Sequence, residues 1–249
     1  MMLFPFFVCW GSFLNVVAYR LLHNENIVWP RSACPHCKTE IAWYDLIPVI
    51  SWLMLRGKCR TCHQPISILY PLIELFTGVL FTAAYILISH QFLIAYYIFF
   101  SALIVTIRSD LETMLISRFV TLFLIPLGLL FSFFNALPIS TLDSLLGALF
   151  GYLSLYIVAQ IFWWCTKKEG IGEGDFELLA FIGSFTGLYG CWMSLTIGSI
   201  IGSILGLLYM IITKSDRSLK IPFGPFLALG AITSVLLQTS LASSIWHLY

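Results

Sequence analysis

Long apolar stretches constrain the fold of this 249-residue chain more than any other feature. A membrane helix needs about 20 mostly apolar residues, with about 17 as a lower bound. Eight windows come near this length, and we predict a helix in each. They cover residues 3–19, 68–89, 91–107, 119–134, 145–165, 176–193, 196–213 and 223–241. The predicted fold class is therefore all-α, a polytopic membrane helix bundle of about eight spans.

The scarcity of charge supports this prediction. Only 10% of the residues are charged and 59% are hydrophobic, whereas soluble domains carry about 25% charged residues. A soluble protein would lack the polar residues needed to cover its surface. We therefore expect lipid to surround the chain. The net charge of +1 gives no reason to expect nucleic acid as a partner.

A single polar insertion organises the chain. Residues 1–19 form the predicted first transmembrane span, residues 20–67 form the insertion, and residues 68–249 form a core of about seven spans. A secretory signal peptide would carry basic residues before its apolar stretch, and none of the first 19 residues is charged. The first window is therefore expected to be a retained span.

The basic residues predict the orientation of the chain. All of them follow the first, third, fifth or seventh window: Arg20, Arg31, Lys38, Arg56, Lys58, Arg60, Arg108, Arg118, Lys167, Lys168, Lys214, Arg217 and Lys220. Because positively charged loops stay in the cytoplasm, this alternation places both termini outside and the insertion inside. We therefore expect a multi-pass protein of the plasma membrane.

Four cysteines of the insertion form two C-x-x-C pairs: Cys34, Cys37, Cys59 and Cys62. Each pair can supply two thiolates from one turn, and two such turns complete a tetrahedral zinc site. Four protein ligands would close the site, so its role should be structural. A reducing compartment disfavours disulfides, and unpaired or redox-active thiols are the alternative. His36 and His63 could replace a ligand, although exposed turn residues are the simpler interpretation.

Two aspartates indicate a catalytic site at the cytoplasmic membrane edge. Asp110 follows the third window, and Asp175 precedes the sixth, after Gly172 and Gly174. A charged group at the bilayer centre costs about 2.5 to 3.5 kcal/mol, so acids beside spans need a reason. Two adjacent carboxylates share a proton, and one can activate water while the other polarises a carbonyl. Alternatively, Asp175 caps its helix.

Other acids near the spans have weaker assignments. Asp110 could also form an ion pair with Arg108 or Arg118. Glu112 and Glu177 each follow an aspartate by two residues, which points them about 200° away on a helix. Glu74, near the start of the second span, could line the same cavity, bind a substrate amine or form an interhelical hydrogen bond.

In combination, these motifs resemble those of the bacterial type IV prepilin leader peptidases, membrane aspartic proteases with a Gly-x-Gly-Asp motif. The resemblance covers nearly the whole chain, and the short length is most similar to competence-type variants. It is carried by residues 11–20 (GSFLNVVAYR), 34–37 (CPHC), 43–51 (WYDLIPVIS), 56–59 (RGKC), 62 (C), 65–78 (PISILYPLIELFTG), 110 (D) and 172–175 (GEGD).

The resemblance implies a function. Such enzymes remove the short basic leader from prepilin-like precursors at the cytoplasmic face, and many then methylate the new N-terminus with S-adenosylmethionine. It implies that Asp110 and Asp175 are catalytic, and that the four cysteines bind zinc. This sequence departs from the family pattern twice, with Glu177 where a lysine is usual and Ser117 where a proline is usual.

A second function class fits the same composition. A non-enzymatic membrane transporter or scaffold could carry a zinc-stapled cytoplasmic loop, with its acids binding ions or protons. Transporters of this kind often contain internal repeats and charges near mid-membrane. The sequence shows no convincing repeat, and its notable acids lie at one edge of the predicted bundle, which favours the peptidase.

Overall fold

The computed structural model describes residues 3–168, 170, 172–213 and 222–246, and its regular secondary structure there is helical. Within these residues β pairing is limited to two isolated bridges, which pair Ala33 with Glu40 and Lys58 with Pro65. The predicted all-α class is confirmed. The chain forms two compact units, Met1–Ile86 and Leu87–Tyr249.

The first unit contains two long helices joined by the polar insertion. Its elements are α1 (Phe4–Leu22), a 3-10 turn (Trp43–Leu46), α2 (Ile50–Met54) and α3 (Leu69–Leu87). The long helices meet at Gly11, where a Cβ atom would lie 2.8 Å from Thr77 and 2.9 Å from the Cα of Glu74. This glycine allows the two backbones to approach closely, as small residues do in membrane helix pairs.

Among its described residues, the second unit contains the 3-10 turn His90–Phe92 and five α-helices around an aromatic core. They are α4 (Leu93–Thr113), α5 (Arg118–Phe133), α6 (Thr141–Thr166), α7 (Glu173–Thr213) and α8 (Gly224–Trp246). Phe99 of α4 stacks on Phe185 of α7 with 5.0 Å between ring centroids, and Phe181 lies 5.3 Å from Phe99. All three rings are fully buried. Such ring pairs add about 0.5 to 1.5 kcal/mol to the burial of their area, so they tie α4 to the first part of α7.

Helix α7 folds back on itself at Gly187. The sulfur atom of Cys191 lies 3.7 Å from the carbonyl oxygen of Leu179, whereas a straight helix would separate these residues by about 18 Å. Gly187 has φ +71°, a conformation that glycine adopts readily. The carboxylate of Asp143 accepts a hydrogen bond from the backbone N–H of Leu188, 3.1 Å away. It therefore satisfies a free donor at the start of the second half of α7.

The reversal changes the sixth and seventh predicted windows. The sequence placed the break between residues 193 and 196, and the structure places it at Gly187. That boundary was wrong because hydropathy is uniform here, whereas the turn depends on backbone conformation and on Asp143 from another helix. The two halves of α7 are nevertheless separate antiparallel segments, as two windows imply.

The predicted count of eight membrane spans is not confirmed. Among the described residues, five helices are long and apolar enough to cross a membrane: Phe4–Leu22, Leu69–Leu87, His90–Thr113, Thr141–Thr166 and Glu173–Ile212. The apolar helices Arg118–Phe133 and Gly224–Thr239 are shorter. Lys214, Arg217 and Lys220, which contributed to the predicted orientation, lie outside the described residues.

Close packing of α6 on α7 predicts a steric effect at Gly183. A Cβ atom there would overlap the carbonyl oxygen of Gly147, so Gly183→Ala should force the helices apart at a cost of about 1 to 3 kcal/mol. Thermal unfolding of the purified protein in detergent should show a lower midpoint. Gly202→Ala is the matched control, because its Cβ would meet the movable ring of Phe226. Equal midpoints for the two variants would contradict the packing.

Candidate functional site

Asp110 lies in the last turn of α4 and is 4% exposed. Its backbone carbonyl accepts a hydrogen bond from Met114, whose left-handed conformation ends the helix. Its carboxylate oxygen Oδ2 accepts a hydrogen bond of 3.0 Å from the N–H of Gly224, the first residue of α8. A Cβ atom at position 224 would lie 2.7 Å from Oδ2 of Asp110, so this hydrogen bond requires glycine at position 224. Asp110 therefore joins the end of α4 to the beginning of α8.

Asp175 lies in the first turn of α7 and is half-buried. Its N–H donates to the carbonyl of Gly172 at 3.1 Å, which forms the turn that starts the helix. The Gly172 backbone also hydrogen bonds to the Asp175 carboxylate, and that carboxylate interacts electrostatically with Asp110. The structure thus brings together the two aspartates that the sequence singled out, although they belong to different helices.

Ile116 is a site residue that the sequence reasoning missed. If Gly174 carried a Cβ atom, that atom would lie 3.0 Å from the Cβ of Ile116. A Cβ atom on Gly224 would lie 3.2 Å from the Cδ1 of Ile116. Ile116 therefore occupies the space between the glycine that precedes Asp175 and the glycine that binds Asp110. Nothing in the sequence distinguishes this isoleucine from the many other apolar residues near it.

The basic residues near Asp110 bind other acids. Arg108 donates to Glu112, one helical turn later, at 2.6 Å. Arg118 forms ion pairs with Glu173 and Glu177. Among the described residues, the alternative pairing of Asp110 with Arg108 or Arg118 is thus replaced by these pairs.

Glu74 holds the polar insertion within the first unit. It is 6% exposed, and its Oε2 accepts a hydrogen bond of 2.8 Å from the N–H of Val49, just before α2. Ser12 of α1 also hydrogen bonds to its carboxylate. This interhelical bond agrees with one of the three roles that the sequence left open for Glu74.

The two cysteine pairs adopt the same backbone turn. Cys34 receives a hydrogen bond at its carbonyl from Lys38, and Cys59 receives the equivalent bond from His63. Lys38 and His63 both have φ +57°. This repeated geometry points both thiols of each pair in one direction, as in zinc knuckles.

The four thiols converge on one point. The sulfur atoms of Cys34, Cys37, Cys59 and Cys62 all lie within 4.8 Å of one another, and those of Cys34 and Cys62 are 3.8 Å apart. A metal at about 2.3 Å from each sulfur, as zinc takes, would give a similar spacing. Hydrogen bonds from the side chain and backbone of Thr39 lower the pKa of Cys37 to about 6, whereas burial and the three neighbouring thiols raise the pKa of Cys62 to about 11. His36 and His63 are exposed and do not belong to this group.

Comparison with known proteins adds independent information. Residues 6–88 match the bacterial peptidase A24 N-terminal domain, and residues 97–207 match the type IV leader peptidase family. The prepilin leader peptidase/N-methyltransferase of Pectobacterium carotovorum is 36% identical over 92% of this chain and 89% of its own length. The prepilin leader peptidase/N-methyltransferase of Aeromonas hydrophila is 35% identical over 99% of this chain and 93% of its own length. The protein of the same name from Pseudomonas aeruginosa is 36% identical over 91% of this chain and 86% of its own length. No solved structure matches the chain.

The cysteine geometry predicts one metal ion per chain. Cys34→Ser removes a buried ligand, so elemental analysis of the purified protein should fall from about one equivalent of bound metal to near zero. Cys165→Ser is the control, because Cys165 is exposed on α6, outside the cluster. A Cys34→Ser protein that retains the metal would exclude the four-cysteine site.

Proposed function

Because the chain belongs to the type IV leader peptidase family, we propose that it is a membrane aspartic endopeptidase that removes the leader from prepilin-like precursors. The observation that carries the proposal is the approach of Asp110 and Asp175 at the ends of two separate helices. Prepilin-like precursors are the expected substrates. The membrane-capable helices agree with a substrate that is itself delivered at a membrane.

The geometry supports hydrolysis by a carboxylate pair. One carboxylate, ionised, takes a proton from a water molecule as its oxygen attacks the scissile carbonyl carbon. The other carboxyl group, protonated, donates a hydrogen bond to the carbonyl oxygen and stabilises the charge that develops there. When the C–N bond breaks, the proton that was taken from the water molecule passes from its carboxyl group to the departing amine. The backbone N–H groups of Gly224 and Gly172 hold the two carboxylates while these protons move.

The transporter or scaffold alternative is disfavoured. Relatives over nearly the whole length are named prepilin leader peptidase/N-methyltransferase. The acids of interest also meet at helix ends, where α4 stops and where α7 and α8 begin.

We extend the proposal to zinc and to the orientation of the chain. The four cysteines would hold a structural zinc ion, because four thiolates leave no open coordination position. The basic residues would place this site and the aspartates on the cytoplasmic face of a multi-pass plasma-membrane protein. The zinc ion would stabilise the insertion and would take no part in peptide hydrolysis.

We also propose methylation of the new N-terminus. The support is the name of the relatives, which includes N-methyltransferase, and S-adenosylmethionine is the expected methyl donor. The residues of this chain that would bind the donor are unassigned.

Both aspartates should be indispensable for cleavage. Asp110→Asn and Asp175→Asn each replace a carboxylate with an amide that cannot transfer the proton, so processing should fall at least about a thousandfold. Co-expression with a prepilin-like precursor, followed by immunoblotting for the shortened product, measures this. Glu25→Gln, at an exposed acid of the insertion, is the matched control. Normal processing by either aspartate variant would refute the catalytic pair.

Methylation can be tested separately. Purified enzyme incubated with a precursor and S-adenosylmethionine should yield a mature chain heavier by one methyl group at its N-terminus. Mass spectrometry of the product distinguishes the outcomes, and a reaction without S-adenosylmethionine is the control. A product that is cleaved but always unmodified would restrict the activity to the peptidase.

A further inference from the structure

Arg118, the first residue of α5, lies across the first turn of α7. Its Nη2 forms an ion pair with Glu173, and its Nε lies 3.2 Å from Oε1 of Glu177. These two glutamates stand two residues before and two residues after Asp175. Arg118 thus contacts the turn that carries Asp175 on both sides of that residue.

A second contact from α5 completes the attachment of Glu177. The hydroxyl of Thr121 lies 3.2 Å from Oε2 of Glu177 and donates to it, so both carboxylate oxygens bind α5. Thr121 is fully buried and Glu177 is 7% exposed. An exposed ion pair contributes about 0 to 1 kcal/mol, but a buried carboxylate that loses its partner is costly. Arg118 is itself 62% exposed, and its loss would leave the buried Glu177 carboxylate with the Thr121 hydroxyl alone. Arg118 therefore contributes to the attachment by supplying the opposite charge.

The segment that precedes Arg118 in the chain is connected to Asp110. Only residues 114–117 separate α4 from α5, and Met114 donates its N–H to the carbonyl of Asp110. Ile116 in this segment contacts Gly174, which precedes Asp175. The short connection that follows Asp110 is therefore attached to the first turn of α7 by both Ile116 and Arg118.

The glutamate at position 177 is complementary in charge to Arg118. The resemblance leads one to expect lysine there, and a lysine would face Arg118 with a like charge. Glutamate converts the repulsion into an attraction. Arg118 and Glu177 thus form a complementary pair in this chain, beside the turn that carries Asp175.

We propose that Arg118 is a positioning residue that holds Asp175 against Asp110 through its ion pairs with Glu173 and Glu177. The inference rests on the proposed function, because it concerns the rate of the reaction at the same two aspartates. Arg118 contacts neither aspartate, so it acts on catalysis only through the position of the first turn of α7.

Charge reversal tests the pairing. Arg118→Glu and Glu177→Arg should each lower kcat for precursor cleavage about tenfold to a hundredfold, because displacement of a catalytic group by about 1 Å has effects of this size. KM should change little. In the double variant the charges at positions 118 and 177 attract again, and the arginine introduced at 177 faces Glu173 at a favourable i, i+4 spacing. The glutamate introduced at 118 repels Glu173, so only one of the two original ion pairs is restored. Its kcat should therefore exceed that of either single variant without reaching the original value. Lys168→Glu, an exposed reversal in the α6–α7 connection, is the control.

Several results would overturn the inference. The inference fails if both single variants keep the kcat of the unmodified protein. It also fails if the double variant is no more active than the single variants. A change confined to KM would indicate that Arg118 binds substrate. Abundance and thermal unfolding are measured for every variant. If a reversal variant does not accumulate, Glu177→Gln replaces it, and an unchanged kcat in that variant overturns the inference.

Asp110→Asn separates this inference from the proposed function. If Asp110→Asn is inactive while the Arg118 and Glu177 variants are normal, only the positioning role is excluded. If Asp110→Asn remains active, the proposed aspartate pair fails and the positioning role fails with it.

Discussion

The hydrogen bond between the N–H of Gly224 and the carboxylate of Asp110 links residues 114 positions apart in the sequence. It joins the end of α4 to the beginning of α8, and it requires a glycine because a side chain at position 224 would fill the space that the carboxylate occupies. Helix N-termini have free N–H donors and a partial positive charge, so a carboxylate is a favourable partner there. This bond therefore holds an acid in place and at the same time leaves part of the carboxylate available to other groups.

The aromatic core brings the second aspartate to the first. Phe99 of α4 lies about three helical turns before Asp110. It contacts Phe181 and Phe185 of α7, which lie about two and three turns after Asp175. Because both helices are held at this core, their ends meet near the aspartates. The reversal at Gly187 then returns the chain, so the second half of α7 packs beside the first. Ring packing and a glycine turn together determine where the acids lie.

Much of this arrangement could be predicted from local sequence, and the rest could not. The apolar windows predicted the helices, and C-x-x-C spacing predicted the convergent thiols, because both depend on residues close together in the chain. The reversal at Gly187 escaped prediction, since it requires a left-handed conformation and a cap from Asp143 on α6. Ile116 also escaped, because its importance comes from glycines on two other helices. Arg118 was considered only as a partner for Asp110, whereas tertiary structure directs it to two glutamates.

Within the described part of the chain, four buried or half-buried acids differ in the number of donors they meet. Glu74 binds Val49 and Ser12, and both oxygens of Glu177 bind α5. Among the described residues, Asp110 and Asp175 instead each meet one backbone group and the other's charge. A carboxylate whose oxygens already accept strong hydrogen bonds is held in one position and is poorly available as a base, whereas one with unused lone pairs can bind water. Burial alone therefore does not identify the proposed catalytic acids. The two aspartates are distinguished by incomplete hydrogen bonding within a site that also keeps them together.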